Sequence, residues 1–301
     1  MAINVSGVVG YVQANEKELI GASVLKGKTA SVIGLQTGVK GSSQLNILNC
    51  TPVLQNGGCG WSASGTTALT KRIIKSGLIK VNDSFCEKDL IGTFAEMELK
   101  IAAGTQTLPF EQAFVEQIVK GVQKQNELTI WRGDVTGATY NRFDGFIKIL
   151  EAEATVVDAT IAGKTLAANT IDAVNAIVSK IPDEILDRDD LVIFVSNGVF
   201  RNYVAAMQAV NSYNYFPTLD GKTMELIIPG TSIKLIGVGG LDATHAYASY
   251  APNFRLGTDM EGDSEKFEFW YSQDNREYRI AMDYNLGVQV AFPNMVVKYI
   301  A

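Results

Sequence analysis

Residues 45–81 read LNILNCTPVLQNGGCGWSASGTTALTKRIIKSGLIKV. The two flanks, 45–50 and 68–81, carry the aliphatic and β-branched residues that favour strands, although their alternation is imperfect. Between them Gln55–Gly65 is rich in the turn-forming residues Gly, Ser and Asn. Such a stretch cannot bury itself. The pattern predicts a long two-stranded hairpin over 45–82 whose tip packs on nothing of its own, and an isolated hairpin is at best marginally stable in water.

The segments on either side extend the problem and then resolve it. Residues 1–44 are small, Gly-spaced and weakly patterned; beyond a short helix from Asn15 they read as an extended arm. After the hairpin comes the strongest helical signal, 109–132. Pro109 suits a first helical position, Glu111 faces the positive helix end, and Gly133 is a stop. Phe110, Phe114, Ile118 and Val122 recur every four residues, with Val115 and Val119 widening the stripe. At 1.5 Å per residue this helix is roughly 35 Å long.

Strands and helices then alternate. ATVVDA reads as a strand. Thr170–Ile181 reads as a helix, with Asn169 placed to cap it and Asp172 placed for a capping box. LVIFV at 191–195 is a buried central strand, and Ser196 is placed to cap the helix that follows. From Tyr213 onward the chain is β-rich, with turns at DG, PG and GG. The fold class is α+β.

Bulk properties limit the function. The chain has 301 residues, 47% hydrophobic and 19% charged, which is a globular composition. Its net charge of −6 argues against a dedicated nucleic-acid binder, which would be basic. No apolar run reaches the roughly 18 residues of a membrane helix. The start of the chain lacks a signal-peptide pattern, so a cytoplasmic site of synthesis and residence is expected. Cys50, Cys59 and Cys86 read as free thiols, with a Cys50–Cys59 bridge across the loop as the alternative. The cysteines show no C-x-x-C pairing and the chain has one histidine, His245, so no metal site is expected.

The catalytic motifs fall short. GKT occurs at Gly27, Gly163 and Gly221, each without the upstream Gly that a phosphate-cradling loop needs, so these read as turns. Gly237–Asp242 lacks the third glycine of a dinucleotide fingerprint. Ser196 sits where a nucleophile elbow would place it, but Phe194 occupies one of the two required Gly positions. His245 and Asp242 complete a formal triad, and a Ser196-dependent hydrolase is one alternative function. An N-cap explains Ser196 without chemistry. No catalytic residue and no cofactor is assigned.

The residues also carry a resemblance. IKVNDSFCEKDL, PFEQAF leading into the long helix, IWRGD followed by FDGF, and DNREYRIAMDYNLGVQVAFPNMVV are similar, in that order and spacing, to major capsid proteins of tailed bacteriophages, in particular those of Bacteroidetes-type hosts. The similarity runs from about Leu45 to the end of the chain. It implies the Hong Kong 97-type fold: an N-terminal arm (1–44), an extended hairpin loop (45–82), a peripheral domain (83–149 and 246–290) with a spine helix at 109–132, and an axial domain (150–245 and 291–301). It implies a structural, non-enzymatic subunit that joins copies of itself into pentamers and hexamers of a shell. That shell encloses DNA in a virion and is assembled in the bacterial cytoplasm, with scaffold, portal and decoration proteins as further partners. An encapsulin-like compartment shell of the same fold is the other alternative.

On this reading the arm and hairpin are buried on neighbouring copies. The inter-subunit residues are Gly57, Gly58 and Trp61 at the tip and Lys71, Arg72 and Lys75 on the returning strand. The two tip glycines would let the loop bend differently in pentamers and hexamers. The basic residues, with Lys80, either meet acidic surfaces such as Glu96, Glu98 or Glu111 of another copy or form a solvated strand face. Some family members crosslink a hairpin lysine to a neighbour's asparagine. Lys71 or Lys75 with Asn294 would take those roles, but no catalytic acid matches and crosslinking stays unsupported.

Overall fold

A computed structural model describes residues 6–51, 53–57, 59, 65–86, 110–210, 224–259 and 266–301. The long helix, Phe110–Arg132, is the axis of the structure. The first helix, Ser6–Leu25 (α1), kinks at Asn15, whose side-chain amide donates to the Tyr11 carbonyl at 2.9 Å. A short helix, Lys28–Val32 (α2), follows. The long helix is therefore α3.

Here the structure corrects the expectation of an extended arm. Val12, Leu19, Ile20 and Val24 form one stripe along α1 and share a core with Val115, Val119 and Val122 of α3. Each such side chain contributes about 1.5–3 kcal/mol on burial. A weakly patterned segment thus becomes helical because a complementary surface exists. Polar contacts fix the register: Gln123 Nε2 donates to the Ala22 carbonyl (2.8 Å) and Asn126 Nδ2 to that of Ser23 (3.2 Å). Tyr284 Oη then donates to Asn126 Oδ1 at 2.6 Å, tying in the sheet below.

That sheet has five strands. β1 (Gly34–Gln36), β10 (Phe254–Thr258), β12 (Glu277–Val290) and β11 (Lys266–Ser272) run in that order, and β4 (Gly77–Cys86) also pairs with β12. Glu277–Val290 forms one 14-residue strand, β12. Its Tyr278, Ile280, Met282, Tyr284 and Leu286 alternate into the core, the period-2 signature of a sheet with one covered face.

The second sheet has six strands in the order β5 (Val157–Asp158), β13 (Val297–Ile300), β9 (His245–Tyr250), β6 (Leu191–Ser196), β8 (Lys234–Val238), β7 (Glu225–Ile227). ATVVDA therefore supplies only a two-residue strand. β6 is buried throughout. Val192 and Phe194 face the first core. Leu191, Ile193 and Val195 face a second core with Val174 and Ile177 of α5 (Thr170–Ser179) and Val199, Phe200 and Tyr203 of α7 (Asn197–Val210). The turn between carries α6 (Asp183–Leu186). β9, His245–Tyr250, lies in this sheet between β13 and β6. Asn169 precedes α5 without a side-chain cap bond, and Asp172 pairs instead with Lys164 at 2.5 Å.

Trp131, fully buried near the end of α3, joins the two sheets. Its ring lies 5.3 Å from Phe146 of α4 (Phe146–Ala152), 5.3 Å from Phe194, 6.0 Å from Tyr247 and 6.3 Å from Phe254. Gly240 is required beside it. A Cβ there would sit 2.2 Å from the Glu127 carbonyl oxygen and 2.4 Å from Trp131 Cδ1.

Candidate functional site

The feature left outside both cores is the ribbon of β2 (Ser42–Thr51) and β3 (Thr66–Lys75). It pairs antiparallel from Ser42↔Lys75 to Thr51↔Thr66. At about 3.3 Å per residue its ten-residue strands span roughly 33 Å. The structure shortens the expected hairpin: β3 ends at Lys75, and after Ser76 the chain crosses to pair with β12 as β4. Gly77 permits the crossing, since a Cβ there would lie 2.1 Å from the Arg142 carbonyl oxygen. Ser76 N–H donates to the Gly41 carbonyl at 2.8 Å, and Gly41 has φ +73.

Alternation gives the ribbon two faces. One is anchored at its root by buried Ile47 and Ile74, the latter against Val39 and Gly257. The other presents Leu48 and Leu69, which are direct cross-strand partners and each 61% exposed. Val53 and Leu54, the latter 98% exposed, continue the apolar surface toward the tip. Ile73, on the same face nearer the root, is also exposed and borders a cleft of about 360 Å³ lined by Lys75, Arg142, Phe143, Val288 and Gln289.

The sequence-selected residues divide. Lys71 and Lys75 are exposed on the Leu48/Leu69 face. Gly57 is exposed at the tip. Gly58, Trp61, Glu96 and Glu98 lie outside the described residues, as does the Glu111 side chain. Arg72 points to the anchored face, where its guanidinium ion-pairs with Glu153 just past α4 and donates to Gln289 Oε1 at 3.5 Å. Sequence reasoning missed Glu153, Gln289 and the Leu48/Leu69 pair. The last was recoverable from strand register, whereas the first two are distant in sequence.

The triad residues do not form a catalytic relay. Ser196 Oγ accepts the Val199 N–H at 3.3 Å, the geometry of an N-cap on α7. His245 Nδ1 lies 2.7 Å from Asp242 Oδ1, but its Nε2 lies 3.0 Å from Glu151 Oε1, so neither ring nitrogen is directed at the serine. Thr29 of the first GKT binds the Glu127 carboxylate through its N–H (3.2 Å) and its hydroxyl, while Trp131 Nε1 donates to Thr29 Oγ1 at 2.8 Å. Burial pushes the Glu127 carboxyl up, against the Thr29 bonds and the Lys28 charge. Among the described residues, no group of three or more His, Cys, Asp or Glu side chains is placed to hold a metal, and Cys59 and Cys86 are free exposed thiols. No described helix is long and apolar enough to cross a membrane.

By sequence the chain matches no family and no curated protein. By structure it matches shell subunits over nearly its whole length. It resembles a chain of the satellite phage P4 procapsid that includes the size determination (Sid) protein, with 11% identity, TM-score 0.64, and coverage of 97% of this chain and 94% of that one. It resembles the capsid of an empty GTA particle with 12% identity, TM-score 0.58, and coverage of 93% and 89%. It also resembles a virus-like particle from Pyrococcus furiosus with 8% identity, TM-score 0.50, and coverage of 94% and 96%. The chain thus has the Hong Kong 97-type fold of phage capsid subunits.

Proposed function

We propose that the chain is the major capsid subunit of a tailed bacteriophage. It is a structural protein, not an enzyme, that self-associates into the pentamers and hexamers of an icosahedral shell around double-stranded DNA. The observation that carries this reading is the ribbon. A chain sharing its fold with shell subunits over 97% of its length projects two paired leucines that its own cores leave uncovered. Apolar surface of that kind marks an interaction site. On this reading the five-stranded sheet with α1, α3 and α4 is the peripheral domain. The six-stranded sheet with α5 to α7, including β9 and β13, is the axial domain that converges at capsomer centres. Many modest contacts then add, because ring closure makes later ones effectively intramolecular. The net charge of −6 fits a container that confines DNA without reading it. Scaffold, portal and decoration proteins are the further partners, the virion is the site of action, and the host cytoplasm is where the shell is built.

Electron microscopy and sedimentation of the purified chain test the reading. Closed shells with both five- and six-fold capsomers are expected. A compact single-copy species of 32.6 kDa at high concentration would overturn it. The Pyrococcus virus-like particle keeps a compartment shell as the second reading; uniform small shells loaded with protein and free of nucleic acid would select it.

A further inference from the structure

The ribbon carries almost no charge. From Gly41 to Thr70 the sequence has no Asp, Glu, Lys, Arg or His, in a chain of which 19% is charged. A projecting ribbon that stays in water is kept from other chains by charged side chains along its strands. An uncharged one is covered without the cost of desolvating an ion. Past the last ladder pair, Thr51↔Thr66, Val53 and Leu54 stand exposed, Leu54 by 98%. Their carbonyls lie outside the ladder and need donors once water is gone.

The cleft at the ribbon's root has the matching chemistry. Its floor holds Phe143 and Val288, both buried, and its walls include Ile73 and Val135, both exposed. At about 360 Å³ it has room for about a dozen waters, each with a ~30 Å³ share of the liquid, and so for a pair of aliphatic side chains in their place. Lys75 and Arg142 stand exposed at its rim and carry only donors. Ile73 shares the Leu48/Leu69 face, so the cleft is continuous with the ribbon's uncovered strip. The chain cannot reach its own cleft with its own tip. Ile73 pairs with Gln44, and Thr51 stands seven residues further along β2 (44 to 51), about 23 Å at about 3.3 Å per residue. Val53 and Leu54 lie beyond it, and the unbroken ladder holds them there.

We propose that the ribbon tip of one copy enters the root cleft of the next. Val53 and Leu54 pack on Phe143, Val288, Ile73 and Val135, and the tip carbonyls accept from Lys75 and Arg142. The giving and receiving surfaces differ, so the contact is head-to-tail: it closes a ring where the rotation allows and otherwise runs on as an open filament. In a closed ring every copy gives one tip and takes one, which leaves no cleft empty and no tip bare. The contact names the receiving surface for the self-association proposed above, and rests on that reading.

Photo-crosslinking of the assembled full chain tests it. The photoreactive residue p-benzoylphenylalanine replaces Leu54 in an unlabelled chain, which is co-assembled with wild type labelled with heavy nitrogen. Mass spectrometry then reads which labelled peptides are joined. Links from position 54 to labelled peptides covering 73–76, 135–149 and 288–289 are expected. Leu54→Asp, outside both cores, should raise the concentration at which assemblies appear about tenfold to hundredfold, the equivalent of one leucine left in water. Val135→Asp, on the receiving side, should act in the same direction. Particles whose links fall on other labelled peptides or only within one chain, or a folded Leu54→Asp chain that assembles at the wild-type concentration, would overturn the docking and leave the shell reading standing. A wild-type chain that stays single-copy would overturn both.

Discussion

The ribbon's uncovered leucines give the sharpest test of the assembly reading. Replacing Leu48 and Leu69 together with Thr keeps strand propensity while removing the apolar pair. Fully burying a leucine is worth about 1.5–3 kcal/mol, and each residue is still 61% exposed, so each leaves about 1–2 kcal/mol for a neighbour. The pair then contributes about 2–4 kcal/mol per ribbon, or roughly thirtyfold to thousandfold in the association constant. The concentration at which shells appear should rise by that factor, read by sedimentation velocity across a dilution series. The melting temperature of the unassembled subunit should barely move, because neither leucine belongs to a core. Shells forming at the wild-type concentration from a folded double variant would refute the claim that this face is an assembly contact.

Two further outcomes probe the scaffold behind it. Gly77→Ala forces a methyl to within 2.1 Å of a backbone oxygen, so either the crossing into β4 or the 142–145 turn must shift; a loss of about 1–3 kcal/mol in denaturant unfolding is expected. Glu127 is raised above its ordinary 4.5 by burial, so the folded chain takes up a proton there before the unfolded chain does. Its contribution is fully present below that ordinary value and is lost as pH rises through the folded-state value. Wild-type stability measured by urea unfolding should therefore gain, relative to Glu127→Gln, as pH falls from about 7 toward 4.5.

Much of the fold was legible because local signals there agree with burial. The long helix was readable from its four-residue apolar spacing, and starts within a residue of the expected position. The apolar run 191–195 was readable as a strand covered on both faces, and β6 is buried throughout. The hairpin was readable because a Gly- and Ser-rich stretch between β-branched flanks has no other economical conformation. The arm was misread for the converse reason. Val12, Leu19, Ile20 and Val24 are sparse in sequence, and their stripe acquires meaning only against α3 and β11.

Local chemistry by itself determined which segments could bury themselves and which could not: apolar spacing, turn residues and strand formers act over a few residues and need no partner. The tertiary structure decided everything that depends on residues meeting across the chain. Arg72 finds Glu153 across 81 positions, and His245 finds Glu151 across 94. Gly77 yields to a carbonyl that the sequence places far downstream. Ion pairs, close backbone approaches and the sheet a strand joins are set by distance in space, which no periodicity along a chain encodes.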